Sequence, residues 1–254
     1  MPSSYAHFRF GDRMLPVLGE DVCGLIRKNR RLYDLGQQGP DFFFFYRMGK
    51  DTPVRKLGRQ YHYTSGSDVF GRICRELAQP TEAELAYLYG LMGHYCLDSI
   101  CHPLVARRTK DSLSHNALES EFDRFLMETD GIVRPCRYNR GQFLRCGRTC
   151  SRVVARFYPE AEEAQIRQSL NTMSAVLGLL TIHGGAKQVL RLMGGANPGL
   201  LMGKTPDGRY AQTNREMLEL FQEAQSRYPD YLRQLHRHLH DREPFGREFQ
   251  AIFG

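Results

Sequence analysis

The string HYCLDSICHP at residues 94–103 constrains this chain more than any other feature. With twelve residues between, the pattern resumes after His102 as HNALE at 115–119. Imidazole and carboxylate are the ligand types that suit zinc and similar divalent ions. Residues four apart lie on one face of a helix, so His94 and Asp98 point the same way, and His115 and Glu119 do so on the next helix. Two facing helices that each present such a pair make a metal site inside a bundle. Burying Asp98 without a counter-charge is costly, and no Lys or Arg shares its face. A bound cation removes that cost. The bland alternative is a hydrogen-bonded polar network in the core.

Helical patterning runs through most of the chain. Residues 21–32 read as a short helix, and 36–65, rich in Gly, Pro and polar residues, as a long structured loop. Ser67 to about Leu77 is helical again. Thr81 with Glu84 forms a capping box for a helix that runs to about Ile100. Its Leu85, Leu88, Tyr89, Met92, Tyr95 and Cys96 cover more than one face, so it belongs at the centre of the fold. Pro103 disfavours helix at His102, which places His102 at the helix end, able to turn to a different partner from His94 and Asp98. The His115 helix spans about Ser114 to Glu128, before Gly131. Residues 141–157 and 160–192 read as helices, the second with a break at Gly184 and Gly185. Residues 194–209 form a Gly/Pro loop. Thr213 with Glu216 is a second capping box, opening 213–226, and Asp230 to His240 closes the bundle. Few segments alternate with period two. The expected fold is all-α: one multi-helix bundle forming a single domain over residues 1–254.

The 254 residues are 41% hydrophobic, which is enough for a sizeable core and excludes global disorder. The 35 Lys and Arg exceed the 28 Asp and Glu by 7, a balance that suits anionic partners: phosphate esters, acidic membrane surfaces or nucleic acid. The first residues, MPSSYAHFRFGDRMLP, contain no apolar core of signal-peptide length. No stretch approaches the roughly 18 apolar residues of a membrane span. The seven cysteines are odd in number and form no CxxC pair, which favours reduced thiols in a cytoplasm. Cys146 and Cys150 stand four apart, and the bland reading, two small residues on a helix, outweighs a metal site.

GHYCLDSICHP followed by SHNALESEFDRFL resembles the zinc-dependent phospholipase C family, whose wider superfamily includes the S1/P1-type nucleases. The resemblance covers roughly residues 5–130 and rests on HxxxDxxxH…HxxxE in combination. It implies a mainly helical fold and a cluster of three metals that hydrolyses phosphodiesters. In the secreted enzymes the spacing from the Asp to the following His is usually longer than the four residues found here. The resemblance further implies that Asp41 in GPDFFFF, His62 in QYHYTS and His7 in YAHFRFG are metal ligands. Asp41, His62, His94 and Asp98 would hold one zinc, His102, His115 and Glu119 a second, and His7 with a shared Asp98 a third. The secreted enzymes complete the third site with an N-terminal Trp. This chain has no Trp, so the third site departs from that pattern.

Each of these residues has a plainer reading. Asp41 after Gly39-Pro40 suits a turn, His62 stands between two tyrosines, and His7 lies where chains often fray. The run Phe42–Phe45 reads as core, or in part as a lipid contact. His236, His240 and Asp241 share a basic helix with Arg233, Arg237 and Arg242, which reads as a solvated face able to meet anionic lipid or nucleic acid. His183 ends an apolar stretch. Arg55, Lys56, Arg59, Arg107, Arg108 and Lys110 flank the ligands in sequence and are candidate phosphate anchors. The expected activity is phosphodiester hydrolysis with phospholipid as a candidate substrate, peripheral contact with a membrane, and Asp41 as the residue that orients or deprotonates the attacking water. An S1/P1-type nuclease or nucleotidase is the alternative within the superfamily, and 13 Tyr and 15 Phe permit the base-stacking pocket it needs. A metal-stabilised binding protein without turnover is the alternative from another class.

Overall fold

The computed structural model describes residues 4–77, 79–182 and 198–253. Helices account for its regular structure. In chain order they are α1 (Ser4–Met14), α2 (Glu20–Lys28), α3 (Arg30–Gly36), α4 (Pro53–His62) and α5 (Gly66–Glu76). There follow α6 (Glu82–Arg108), α7 (Ser112–Thr129), α8 (Arg148–Ala155), α9 (Glu163–Leu179) and α10 (Ala211–Asp241). Among the described residues the β-type pairing is one isolated bridge, between Ser65 and Ile252.

The long helix α6 is the axis of the fold. Thr81 and Glu84 open it with reciprocal capping bonds of 2.8 and 3.2 Å, satisfying two donors that a helix start leaves orphaned. Every residue from Ala86 to Asp98 is buried. A helix apolar on all sides can only be an interior helix, and α1, α3, α7, α8 and α10 all pack against it. The tightest crossing is with α3. A Cβ at Gly36 would stand 2.3 Å from the Tyr87 carbonyl oxygen, and one at Gly90 2.2 Å from that of Tyr33. Two glycines therefore let the two backbones touch. On the opposite side the Tyr228 hydroxyl donates to the Tyr89 carbonyl at 2.8 Å and ties α10 to α6.

That crossing directs the chain beyond α3. Gly39 adopts φ +50°, and a Cβ there would lie 2.2 Å from the His94 ring. Only glycine tolerates both the left-handed backbone and the contact. The chain then winds into a 3-10 helix over Gly39–Phe45, with Asp41 in its first turn. Phe42, Phe43 and Phe45 drop into the core, where the Tyr158 ring meets Phe42 and Phe43 edge-on. Their burial holds Asp41 beside α6.

The helix α1 is pinned to α7 at two points. The Asp123 carboxylate accepts from the backbone N–H groups of Tyr5 and Ala6 at 3.2 and 2.8 Å. The Arg9 guanidinium donates twice to Asp130 at 2.6 and 2.8 Å. A carboxylate at a helix N-terminus satisfies orphan donors and complements the dipole.

Several boundaries differ from those expected. The predicted loop at 36–65 contains the 3-10 helix and α4; Thr52 caps α4, accepting from the Arg55 N–H at 3.2 Å, and Pro53 sits in its first turn. The expected helix at 21–32 is two helices, parted at Asn29. The expected helix at 141–157 is a 3-10 turn, Arg140–Phe143, followed by α8. The helix α6 does not stop near Ile100; it continues through Pro103 to Arg108. Proline costs a helix one hydrogen bond and a steric clash, but Leu104 and Val105 beyond it are buried, and their packing offsets that loss. The helix α10 likewise runs through Pro229, with Tyr228, Tyr231 and Leu232 buried around it. Thr213 is not a cap, because α10 begins at Ala211, and Glu216 instead pairs with Arg108 at 2.8 Å. His183, Gly184, Gly185 and the rest of the stretch to residue 197 lie outside the described residues.

Candidate metal centre

Because α6 continues through Pro103, His94, Asp98 and His102 form one ridge of i, i+4 and i+8 positions. The expectation that the helix ends at His102 is thereby corrected, although His102 still groups with His115 and Glu119 and not with His94. Asp98 Oδ2 lies 3.3 Å from His94 Nε2 and 3.5 Å from His102 Nε2. Asp98 Oδ1 lies 3.0 Å from His7 Nε2, delivered by α1. From α7, Glu119 Oε1 stands 3.0 Å from His115 Nε2 and 3.6 Å from His102 Nε2. From the other side, Asp41 Oδ1 is 2.8 Å from His62 Nε2 at the end of α4. All eight side chains expected as ligands therefore meet in one region, carried by α1, α4, α6, α7 and the 3-10 helix after α3.

They fall into three sets whose ligand atoms all lie within 4.8 Å of one another: Asp41–His62–His94, His7–His94–Asp98, and His102–His115–Glu119. The grouping differs from the expected one in a single respect. His94, not Asp98, is the residue common to the first two sets. The reason is geometric: the His94 ring lies between the neighbouring segments, stacked on His7 at 4.5 Å and edge-on to His62 at 6.2 Å between ring centroids.

Several polar atoms of this region are buried without a well-aligned hydrogen bond. His62 Nε2, His94 Nε2, His115 Nε2, both Asp41 oxygens and Asp98 Oδ2 have no hydrogen-bond partner. Buried polar groups left unpaired are rare and costly, and here they converge. Divalent cations fit this donor set. The backbone sets the rings for it. His62 Nδ1 contacts the Gly58 carbonyl at 2.5 Å and His94 Nδ1 the Gln37 carbonyl at 3.2 Å. With the proton assigned to Nδ1 in each, both Nε2 atoms carry free lone pairs, the usual outer support of a metal-binding His.

Charge supports the same geometry. Burial alone would raise the Asp98 carboxyl, but His102, His94 and His7 hold it well below the usual range. Asp41 is lowered, against burial, by His62 and His94. Glu119 is lowered against the same opposition, with His115 and His102 contributing. Burial pushes His94 down to about 4, leaving the ring neutral, and pushes His102 down as well. His7 and His62 go the other way: burial opposes their charge, but Asp98 and Asp41 respectively outweigh it. Three ionised carboxylates among histidines are what a divalent ion needs.

The sequence model of the zinc-dependent phospholipase C family matches residues 6–167, and all eight candidate ligands lie inside that span. The chain belongs to this family. The match extends past the stretch of about 125 residues in which the resemblance is visible by motif. No curated protein matches the chain, and no solved structure does. Zinc is the cation for which the family is named, and the His, Asp and Glu sets suit it.

Other residues singled out by the sequence lie elsewhere. His236 stacks on Tyr89 at 5.4 Å and lies tilted to His240 at 6.1 Å, in none of the three sets. Cys146 is buried and Cys150 half-buried, and both are free. Phe44, half-buried, stands 5.4 Å from the His62 ring, while its three neighbours in the run are core. Arg55 is spent on the Phe44 and Lys50 carbonyls, Lys56 on Asp51 and Arg108 on Glu216. Sequence reasoning missed Asp123 and Arg140, whose guanidinium reaches Asp123 at 3.2 Å. Asp123 lies four residues beyond Glu119 on α7, which extends the ligand face by one turn and is the signal that was there to be read. No helix among the described residues is long and apolar enough to cross a membrane.

Proposed function

We propose that this chain is a zinc-dependent phosphodiester hydrolase of phospholipase C type, acting on phospholipid and forming one domain over residues 1–254. The observation that carries the reading is the convergence of Asp41, Asp98 and Glu119 with five histidines in three adjoining sets. Two or three ions would be held there: by Asp41, His62 and His94; by His102, His115 and Glu119; and by His7 with His94 and Asp98. When bound, zinc lowers the pKa of an attacking water and polarises the phosphoryl oxygens.

The protein's own groups do the rest. Asp41 is ionised, fully buried and next to His62, so it can both hold an ion and orient the attacking water or take its proton. His102 and His115 keep 13% and 23% of their side-chain surface exposed, whereas His94 keeps none. Substrate therefore reaches the centre between the C-terminal half of α6 and the start of α7. A set of three protein ligands leaves a position for water or substrate, which favours turnover over a purely structural site. The seven cysteines, all free, fit a reducing cytoplasm.

Zinc-loaded protein should be assayed on phospholipid vesicles, a simple phosphodiester, single-stranded DNA and nucleotides, beside Glu119→Gln and Asp41→Asn. The reading expects cleavage of phospholipid that both variants abolish. Preferential cleavage of DNA or nucleotides would replace it with the nuclease reading. A fully loaded protein that cleaves none of them would leave a metal-stabilised binding protein.

A further inference from the structure

The match to the family ends at residue 167, yet residues far beyond it reach the metal centre. The chain turns back after α10, makes a 3-10 turn over Arg247–Gln250, and lies along α6 and the turn between α4 and α5. Three backbone features seat it there. The Gly66 N–H donates to the Ala251 carbonyl at 2.9 Å, the Phe253 N–H to the Thr64 carbonyl at 3.3 Å, and Ser65 bridges Ile252 between them. These partners follow His62 by two to four residues. The Tyr95 hydroxyl, on the residue after His94, lies 3.0 Å from both the Glu248 and the Ala251 carbonyl oxygens.

The segment ends this contact with a ring. Phe253 is fully buried. Its centroid is 4.8 Å from that of Tyr95, 5.6 Å from Phe70 and 6.2 Å from His94, tilted 33° to the imidazole. One side of His94 thus has the Gln37 carbonyl on Nδ1 and Gly39 against its ring, and Phe253 packs nearby. The strap touches the chain on both sides of one ligand pair: the turn that follows His62, and the ring of His94. The His102–His115–Glu119 set lies two turns further along α6, about 12 Å away by helix rise, and is closed by α7.

We infer that residues 246–253 are a strap that braces the Asp41–His62–His94 set, with Phe253 as the positioning residue for His94. The inference rests on the metal reading above. A ligand ring held on several sides keeps its lone pair aimed without ordering it anew at each binding event, and loss of such outer support typically weakens a metal site 10- to 100-fold. The strap selects between sites. It steadies the set that contains Asp41 and leaves the more open set untouched.

The test is a cobalt(II) titration of full-length apoprotein against a competing chelator, following the visible absorption of the bound ion. His62→Ala and His115→Ala assign the steps. In Phe253→Ala the step that His62→Ala removes should weaken roughly 10- to 100-fold, and the step that His115→Ala removes should be unchanged. Should Phe253→Ala not fold, Phe253→Val carries the test by the same selectivity. Unchanged affinities in the Phe253 variant, or equal weakening of both steps, overturn the strap while the metal reading stands. A wild-type protein that binds no cobalt overturns the metal reading and the strap together.

Discussion

Asp123 accepts a hydrogen bond from the Ala6 N–H at 2.8 Å, so a carboxylate on α7 sets the position of the residue that precedes His7. Its other oxygen takes the Tyr5 N–H and the Arg140 guanidinium, both at 3.2 Å. Asp123 is completely buried, and burial pushes its carboxyl up in spite of these partners. The arrangement holds α1 against α7 and so delivers His7 to Asp98.

Asp123→Ala should therefore be costly. It leaves the Arg140 charge buried without its carboxylate and two helix donors without an acceptor. The expected loss is about 3 kcal/mol, or roughly 6–12 °C in midpoint for a chain of this size. Thermal unfolding measures it. Asp123→Asn, which keeps one acceptor oxygen, should lose less. A midpoint unchanged in Asp123→Ala would mean that α1 is held by other contacts, such as the Arg9–Asp130 pair.

Asp98→Ala is expected to be the most damaging change within the centre. Its oxygens face His7, His94 and His102 at 3.0, 3.3 and 3.5 Å, so it connects groups from two helices. The expected cost in the metal-loaded protein is about 3–5 kcal/mol. His115→Ala, at the exposed edge, should cost less. Unfolding of the two variants side by side checks the order, and an equal or reversed order counts against the central place of Asp98.

Metal affinity should rise with pH through the neutral range. The His7 and His62 pKa values are raised above 6.5 by Asp98 and Asp41 when no ion is present. These rings therefore hold their protons to higher pH than a free imidazole does, and a metal must displace those protons. His94, lowered to about 4, is neutral already and releases none. Calorimetry in buffers of different ionisation enthalpy should show net proton release at pH 7, shrinking as pH rises past the His7 and His62 values. Binding without proton release would show that these two imidazoles are not ligands.

The candidate ligands were legible in the sequence because spacing on a helix translates directly into a shared face. His94, Asp98, His115 and Glu119 needed only the 3.6-residue period. His7, Asp41 and His62 needed the family resemblance, since nothing local to a turn or a chain start says where it will dock. The features that were not legible depended on tertiary packing. The helix through Pro103 survives because Leu104 and Val105 are buried beyond it, a fact that local propensity does not contain. The close approach of α3 to α6 is written as Gly36 and Gly90, but their pairing across 54 positions is visible only in three dimensions. The strap at 246–253 is the extreme case, since its partners lie about 150 to 190 residues earlier.

The central claim is that the eight His, Asp and Glu side chains hold metal. The most direct test is metal content by mass spectrometry on protein purified without chelator and again after reconstitution with zinc, each paired with an unfolding midpoint in EDTA. At least two zinc ions per chain are expected, with a midpoint that falls on chelation, because an ion that binds only the folded state adds RT ln(1 + [L]/Kd) to its stability. A protein that carries no transition metal, takes up none on reconstitution, and unfolds at the same temperature with and without EDTA would contradict the account.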